Sequence, residues 1–133
     1  MTLPMAIRVA WRDAKIGFVF ARRGLVMEAC SSFFLPRLLG YARAVHLVTT
    51  GATYKADHRL TEGLFGELLD RPDDVLPKAM EIAREIADNT STVSTYLMRE
   101  LMWRGPTTAE GTHLLDSRVL HGLRKTALVF PSQ

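Results

Sequence analysis

The sequence predicts an α/β fold in which a few strands come first and helices make up most of the remainder. Residues 5–20 combine alternating and continuous apolar residues, a pattern that is typical of strands. From residue 29 onward, apolar residues recur mainly at helical spacing. With 133 residues the chain is one domain or a piece of one, and it is long enough to bury a core.

Two strands are expected near the start of the chain. Residues 7–11 mix β-formers with an alternating charge, and residues 16–20 form a short apolar run that is typical of a buried strand. Two strands alone do not make a stable sheet. Residues 1–20 are therefore expected to join a larger sheet that lies N-terminal to Met1.

The first helix is expected after a loop that covers residues 21–27. Ser31 or Ser32 is the predicted cap of this helix, because a hydroxyl oxygen can accept from the first backbone N–H groups. Gly40 is the predicted C-terminal stop. Pro36 must lie near the first turn or bend the helix, since proline lacks the N–H donor.

Most of the remaining chain is predicted to be helical. The strongest helix covers residues 74–88, where apolar residues form a wide face. The capping box Thr107-x-x-Glu110 begins the last helix. The other predicted elements are a helix over 42–50 that ends at Gly51, a short helix over 56–63, a brief strand over 64–69 and a helix over 92–103.

Charge and composition argue against several classes of protein, and a basic nucleic-acid binder stays a third interpretation that the salt dependence of its affinity would test. The net charge is +3 and the basic residues are dispersed, whereas a nucleic-acid binder concentrates them in a patch or stripe. No apolar run is long enough to span a membrane. Cys30 is the only cysteine, so an intrachain disulfide is excluded and a reducing intracellular setting fits. No spacing of His, Cys and Asp resembles a metal site. We expect Cys30 to be a small buried thiol, and a nucleophile with a histidine as its base is the alternative.

Glu28 is the candidate residue for chemistry. It is the one carboxylate in segment 15–40, between a predicted strand and a predicted helix. A carboxyl group in apolar surroundings exchanges protons near neutral pH, because the loss of water disfavours its charged form. The alternative is a loop glutamate that points to solvent.

Several motifs in this order resemble the C-terminal half of the crotonase superfamily, the enoyl-CoA hydratase/isomerase family. They are Asp13-Ala14-Lys15-Ile16-Gly17, Leu35-Pro36-Arg37-Leu38-Leu39-Gly40, Thr49-Thr50-Gly51, Ala56 and Gly63-Leu64. The resemblance covers residues 1–124 and implies an α/β crotonase fold. It divides the chain into the end of the spiral core, 1–45, and a helical, trimer-forming region, 46–133.

The resemblance also assigns roles around Glu28. Hydratases of the family carry a glutamate where this sequence has Phe20, whereas delta-3,delta-2-enoyl-CoA isomerases and related fungal members carry a carboxylate eight residues later. Here that loop reads Met27-Glu28-Ala29-Cys30-Ser31-Ser32. The resemblance therefore implies an enoyl-CoA isomerase in which Glu28 shuttles the proton. Phe20 and Phe33 are the candidate contacts for the acyl chain, and packing in the core is the alternative.

The same resemblance also implies a substrate, a compartment and a truncated chain. The substrate is an acyl-CoA thioester, with no further cofactor and no metal. Both N–H donors of the family's oxyanion hole would precede Met1, so the chain is expected to be truncated, and its activity stays open. The rival interpretation is a non-catalytic module that joins full-length subunits. The compartment implied is a peroxisome or mitochondrion, although Pro131-Ser132-Gln133 is not the Ser-Lys-Leu address.

Overall fold

The structure is a computed structural model that describes residues 3–129, with side chains described for residues 3–125. The tail Pro131-Ser132-Gln133, which the sequence analysis judged not to be a peroxisomal address, lies outside the described residues. The strands are β1 Val9–Trp11, β2 Lys15–Gly17, β3 Thr53–Lys55 and β4 Glu67–Leu69. The helices are α1 Ser31–Leu39, α2 Tyr41–Thr50, α3 Val75–Asn89, α4 Thr92–Arg104 and α5 Ala109–Val129, with short 3-10 turns at Ala21–Arg23 and Pro72–Asp74.

Backbone contacts divide the chain into two compact units, Met1–Arg84 and Glu85–Gln133. Helix α3 crosses this division. The boundary that the resemblance implied, between residues 45 and 46, falls inside α2. The family-based division into a core end and a helical region stays a prediction.

Four short strands form two separate two-stranded sheets in the first unit. Strand β1 pairs in parallel with β4, so that Ala10 lies opposite Leu68. Strand β2 pairs antiparallel with β3, so that Ile16 lies opposite Tyr54. The predicted strands over 7–11 and 16–20 are thus confirmed in part, since each is only three residues long.

The predicted short helix over residues 56–63 is wrong. This segment forms successive turns instead, after β3, which the sequence analysis missed. Thr61 explains the difference, because it is 1% exposed and its hydroxyl lies 2.7 Å from the carbonyl oxygen of His58 and 3.0 Å from that of Ala56. A threonine hydroxyl that binds local carbonyls offers the backbone an alternative to the helical ladder.

The core of the first unit lies where α1 packs against α2. Leu35 and Leu47 are 0% exposed and are contributed by these two helices. Both helices end at the glycines that the sequence analysis chose. Gly40 has φ 79° and donates to the Pro36 carbonyl, and Gly51 has φ 57°. The other buried apolar residues of this core are Leu3, Phe18, Leu39, Ala44 and Leu64.

Arg22 completes the C-terminal end of α2. Its Nε atom donates to the Thr50 carbonyl oxygen over 2.9 Å, where the last helical carbonyls lack partners in the helix. Its side chain also packs on Gly51, because a Cβ atom added there would lie 2.9 Å from Arg22 Cγ. The pair therefore joins the loop after β2 to the end of α2.

Gly51→Ala is expected to destabilise the first unit more than Gly24→Ala. Both glycines have positive φ, which costs an alanine about 1–2 kcal/mol. At Gly24 an added Cβ meets nothing within 4 Å, whereas at Gly51 it displaces Arg22. Urea unfolding of the two variants measures the difference. Equal losses of unfolding free energy would show that the Arg22 contact contributes nothing.

Helix α3 confirms the predicted helix over 74–88, although it buries none of its residues. Leu76 is 70% and Met80 is 45% exposed, so part of the wide apolar face that the spacing predicted faces solvent. The rest of that face is half-buried, at Val75, Ala79, Ile82 and Ile86. Lys78 Nζ lies 2.9 Å from the Glu81 carboxylate. This hydrogen bond is the largest of the causes that raise the pKa of Lys78.

The second unit contains α4 and α5. Ser91 caps α4 by accepting from the Ser94 N–H over 3.3 Å. At α5 the hydroxyl that accepts belongs to Thr108 rather than Thr107, since the Gly111 N–H donates to Thr108 Oγ1 over 3.1 Å. The half-buried residues that line a cleft between the two helices are Leu97, Glu100, Leu101, Leu115 and Val119.

Candidate active site

Glu28 stands at the start of a tight turn with unusual backbone geometry. The next two residues, Ala29 and Cys30, have φ values of 50° and 59°, and they are the non-glycine residues with positive φ in the described part of the chain. The Ser31 N–H donates to the Glu28 carbonyl over 3.0 Å, as in a type I′ turn. Side chains other than glycine reach this conformation at a cost of about 1–2 kcal/mol per residue. Such strain persists only where the surroundings enforce it.

Ser31 and Met27 enforce this turn. The Ser31 side chain is 0% exposed, and its Oγ donates to the Glu28 carbonyl over 2.6 Å. Met27 is half-buried and packs against the core of the first unit. Because Cys30 occupies the N-cap position of α1 in the left-handed region, the expected capping by Ser31 or Ser32 is wrong. Ser31 instead serves the turn that precedes the helix.

Ser31→Ala is expected to lower the free energy of unfolding by about 1–3 kcal/mol, since it removes a buried hydrogen bond to the strained turn. Ser32→Ala is the matched control: Ser32 is the neighbouring serine, it is exposed, and its loss should stay within about 0.5 kcal/mol. Hydrogen exchange of the Ser31 amide should also rise in the Ser31 variant alone. Equal stability of the two variants would contradict the role given to the buried hydroxyl.

The Glu28 side chain is exposed. The apolar surroundings that the sequence analysis expected for this carboxyl group are therefore wrong for the chain in this form. Residues 28–30 are exposed because the turn projects from the core. The residues that hold the turn on the core are Met27 before it and the buried Ser31 after it. Cys30 is exposed as well, so the expectation of a buried thiol is also wrong.

An open pocket of about 410 Å³ lies in the first unit, beside β2. Phe20 is one of its lining residues, and its role as a substrate contact stays a prediction. Neither Glu28 nor Phe33 is among its lining residues. Apart from two cations, its walls are mainly apolar; the lining residues are Leu3, Arg8, Lys15, Ile16, Gly17, Phe18, Phe20, Leu64 and Phe65.

Arg8 is fixed at the wall of this pocket. It donates to the carbonyl oxygen of Leu3 over 3.1 Å, to that of Met5 over 2.7 Å and, through Nε, to that of Leu64. Burial lowers the pKa of Arg8, but a guanidinium group stays charged at any physiological pH. Lys15 is exposed at the same pocket. The pocket therefore combines apolar walls with two positive charges.

Phe33 lies outside this pocket, on the first turn of α1. It is 40% exposed, the guanidinium of Arg37 lies 3.6 Å from the centre of its ring, and Phe34 contacts it edge to face. These contacts are typical of cation–π and aromatic packing. The structure therefore does not bring Phe33 together with Phe20.

Sequence reasoning missed the two charged pocket residues, Arg8 and Lys15. A signal existed for Arg8, which is a charged residue in the alternating pattern of the predicted strand at 7–11.

A cluster of three rings was also not predicted. His46 Nε2 lies 3.2 Å from the Tyr54 hydroxyl oxygen, and the Tyr54 ring stacks on the His58 ring with 4.5 Å between their centres.

The described residues contain no group of three or more His, Cys, Asp or Glu side chains that could hold a metal ion. Within the same part of the chain, none of the helices is both long and apolar enough to cross a bilayer.

Comparisons with known proteins agree on one family. The family model described as Enoyl-CoA hydratase/isomerase matches residues 1–127. The enoyl-CoA hydratase AFT3-1 of Alternaria alternata is 54% identical over 121 residues, which cover 91% of this chain and 41% of that protein. ACTT3 from the same organism, also named an enoyl-CoA hydratase, is 53% identical, and the match again covers 91% of this chain and 41% of that protein.

A solved structure gives the same result for the fold. The probable enoyl-CoA hydratase/isomerase from Mycobacterium abscessus superposes with a TM-score of 0.86 at 26% identity. The match covers 94% of this chain and 49% of that one. The chain thus spans less than half the length of each of these three relatives. The predicted partial crotonase fold is confirmed, and the chain belongs to the enoyl-CoA hydratase/isomerase family.

Proposed function

We propose that this chain carries the proton-shuttle part of an acyl-CoA double-bond isomerase, with Glu28 as the shuttle. The observation that carries the proposal is the turn after Glu28. Two consecutive non-glycine residues there hold strained left-handed conformations, and the buried Ser31 hydroxyl secures the Glu28 carbonyl. Strain of this kind concentrates at functional sites.

The proposed reaction needs one carboxylate. Glu28 removes a proton from the carbon next to the thioester carbonyl of a 3-enoyl-CoA, and the electron pair of that C–H bond moves into the conjugated enolate. The protonated Glu28 then returns a proton two carbons further along the chain. The double bond has moved into conjugation with the carbonyl, and Glu28 is again a carboxylate.

Two further features bear on this proposal. Hydration would use two carboxylates, and the resemblance aligns Phe20 with the second one. The exposure of Glu28 requires that substrate or another protein surface covers the turn when the reaction occurs, because water stabilises the charged carboxylate. Phe20 and Phe33, which lie before and after the turn in the sequence, stay the proposed acyl contacts.

The two named Alternaria relatives are hydratases, so the decisive experiment separates the two reactions. The purified chain is given a 3-enoyl-CoA, and the absorbance of the conjugated product is followed. In a second cuvette it is given a 2-enoyl-CoA, whose absorbance falls if water adds. The proposal predicts a rise in the first cuvette and no fall in the second. A folded chain that gives no rise, or that hydrates the 2-enoyl-CoA, would contradict it.

A second candidate function rests on a separate observation. Between Phe65 and Lys125 no described residue is buried, although this range holds three long helices. Exposed apolar residues on such helices indicate an interface. We propose as the alternative a non-catalytic module that associates as a trimer or with full-length family members. Light scattering would test it, since a monomer at all concentrations, with no binding to AFT3-1, would contradict this role.

The cellular compartment of the chain is also proposed rather than established. The resemblance suggests a peroxisome or mitochondrion, and the single cysteine suits a reducing interior. Imaging of the tagged chain with markers for both organelles would test this assignment.

A further inference from the structure

We propose that Met27 is a positioning residue for Glu28, and that oxidation of its thioether releases Glu28 from that position. This role of Met27 rests on the proposed function as far as the rate of isomerisation is concerned. The hold of Met27 on the turn can be measured in a chain without activity, so a failure of one is distinguishable from a failure of the other.

Within residues 21–30, Met27 is the one residue whose side chain is not exposed. It is half-buried and packs against the core of the first unit, whereas Val26 just before it is 85% exposed. The next residue on the core is Ser31, which is 0% exposed. The place of the Glu28 carboxylate therefore depends on one apolar side chain before it and one hydroxyl after it.

The turn needs a hold on both sides because its backbone is strained. Ala29 and Cys30 have φ values of 50° and 59° although neither is a glycine. On the C-terminal side, Ser31 donates to the Glu28 carbonyl oxygen through its N–H over 3.0 Å and through its Oγ over 2.6 Å. On the N-terminal side the contact is the apolar packing of Met27. Without that packing the strained residues relax, and the carboxylate moves with them.

The Met27 side chain is the part of this hold that an oxidant changes. Hydrogen peroxide transfers one oxygen atom to a thioether: an S–O bond forms, the O–O bond breaks and water leaves, so that sulfur loses two electrons and the peroxide is reduced. Burial of the polar sulfoxide in an apolar core is unfavourable. Because Met27 is half-buried, a small oxidant can reach it. Oxidation should therefore release the turn.

The other methionines with described side chains lie in different surroundings. They are between 45% and 77% exposed, and they are Met5, Met80, Met98 and Met102. A sulfoxide at these positions stays in water and removes no contact from the turn. Met102, at 77% exposed, is therefore the matched control for Met27.

Two substitutions separate apolar packing from polarity at this position. Met27→Leu keeps an apolar side chain of similar volume and should retain at least about a third of the rate of 3-enoyl-CoA isomerisation. Met27→Gln is similar in length but places an amide on the core. It should lower kcat about 10- to 100-fold, because a displacement of the carboxylate by about 1 Å has an effect of this size. KM should change less than about threefold, since the acyl-CoA contacts remain.

The oxidation is tested with hydrogen peroxide followed by dithiothreitol, which returns a sulfenic acid or disulfide of Cys30 to the thiol and leaves sulfoxides in place. The wild type and Met102→Leu should each lose at least about tenfold in rate. Met27→Leu should keep its own rate, although its other methionines are oxidised. Methionine sulfoxide reductases of both stereospecificities should restore the wild type.

Hydrogen exchange measures the hold on the turn independently of activity. The Ser31 amide should exchange at least about tenfold faster in Met27→Gln and in the oxidised wild type than in the untreated wild type or in Met27→Leu. The control is the Gly51 amide, which donates to the Leu47 carbonyl over 3.1 Å at the end of α2. Its exchange should change less than about threefold, which shows that the unit as a whole stays folded.

Two results would overturn the role of Met27. One is equal exchange of the Ser31 amide in the Gln and Leu variants; if Met27→Gln fails to fold, the oxidised wild type decides. The other is a loss of rate that dithiothreitol reverses or that Met27→Leu shares, which would assign it to Cys30 or to another methionine. The expected exchange in a chain without isomerase activity would contradict the proposed function and support the hold of Met27 on Glu28.

Discussion

Glu28→Gln is expected to lower the rate of 3-enoyl-CoA isomerisation by about 10²- to 10⁴-fold, the usual contribution of a positioned general acid–base group. Glutamine has nearly the same shape but cannot accept the proton. The turn should survive, because the Glu28 group that Ser31 binds is the backbone carbonyl. The measurement is the initial rate of the absorbance rise with the two proteins at equal concentration.

The control for this substitution is Glu110→Gln, an exposed glutamate on α5. It removes the same charge from the surface and should leave the rate unchanged. The unfolding free energy of the Glu28 variant should also stay within about 0.5 kcal/mol of the wild type. A Glu28 variant that keeps the wild-type rate would remove Glu28 from the mechanism.

Leu47→Ala should be among the most destabilising of single substitutions, with a loss of about 2–5 kcal/mol in the free energy of unfolding. Leu47 is 0% exposed and lies in α2, at the centre of the only part of the described chain that buries apolar side chains fully. Alanine removes three carbon atoms and leaves a cavity that the surrounding helices can close only in part. Urea unfolding, followed by circular dichroism, measures the loss.

Leu76→Ala is the matched control. It makes the same chemical change on α3, where the leucine is 70% exposed, and should change stability by no more than about 0.5 kcal/mol. A loss of 2 kcal/mol or more at Leu76 would show that α3 is covered in solution. That result would favour the association module over a free helical face.

The local signals in the sequence were sufficient for the helices and their ends. The apolar spacing predicted α3 and α4 within one residue, and Gly40 and Gly51 ended α1 and α2 as expected. These features depend on residues that are close together in the chain. The helix expected over 56–63 failed for a local reason too, because the buried Thr61 hydroxyl binds carbonyls of its own turn.

The site was harder to predict, because it depends on contacts between distant residues. The pocket wall forms when the Gly66 N–H donates to the Arg8 carbonyl over 2.8 Å and β4 aligns with β1. No periodicity near Arg8 indicates that pairing. The role of Glu28 came from the resemblance, whereas its exposure and the strained turn after it were visible only in the structure.

The most direct test of Glu28 as the shuttle follows the atom it is proposed to take. A 3-enoyl-CoA that carries deuterium on the carbon next to the thioester carbonyl is incubated with the wild-type chain and with Glu28→Gln. Nuclear magnetic resonance then records the deuterium left at that carbon. With both hydrogens of that carbon replaced by deuterium, the wild type should remove one deuterium as the conjugated product forms, and the variant should leave both in place. Equal removal by both proteins, or none by a folded wild-type chain, would contradict the proposed mechanism.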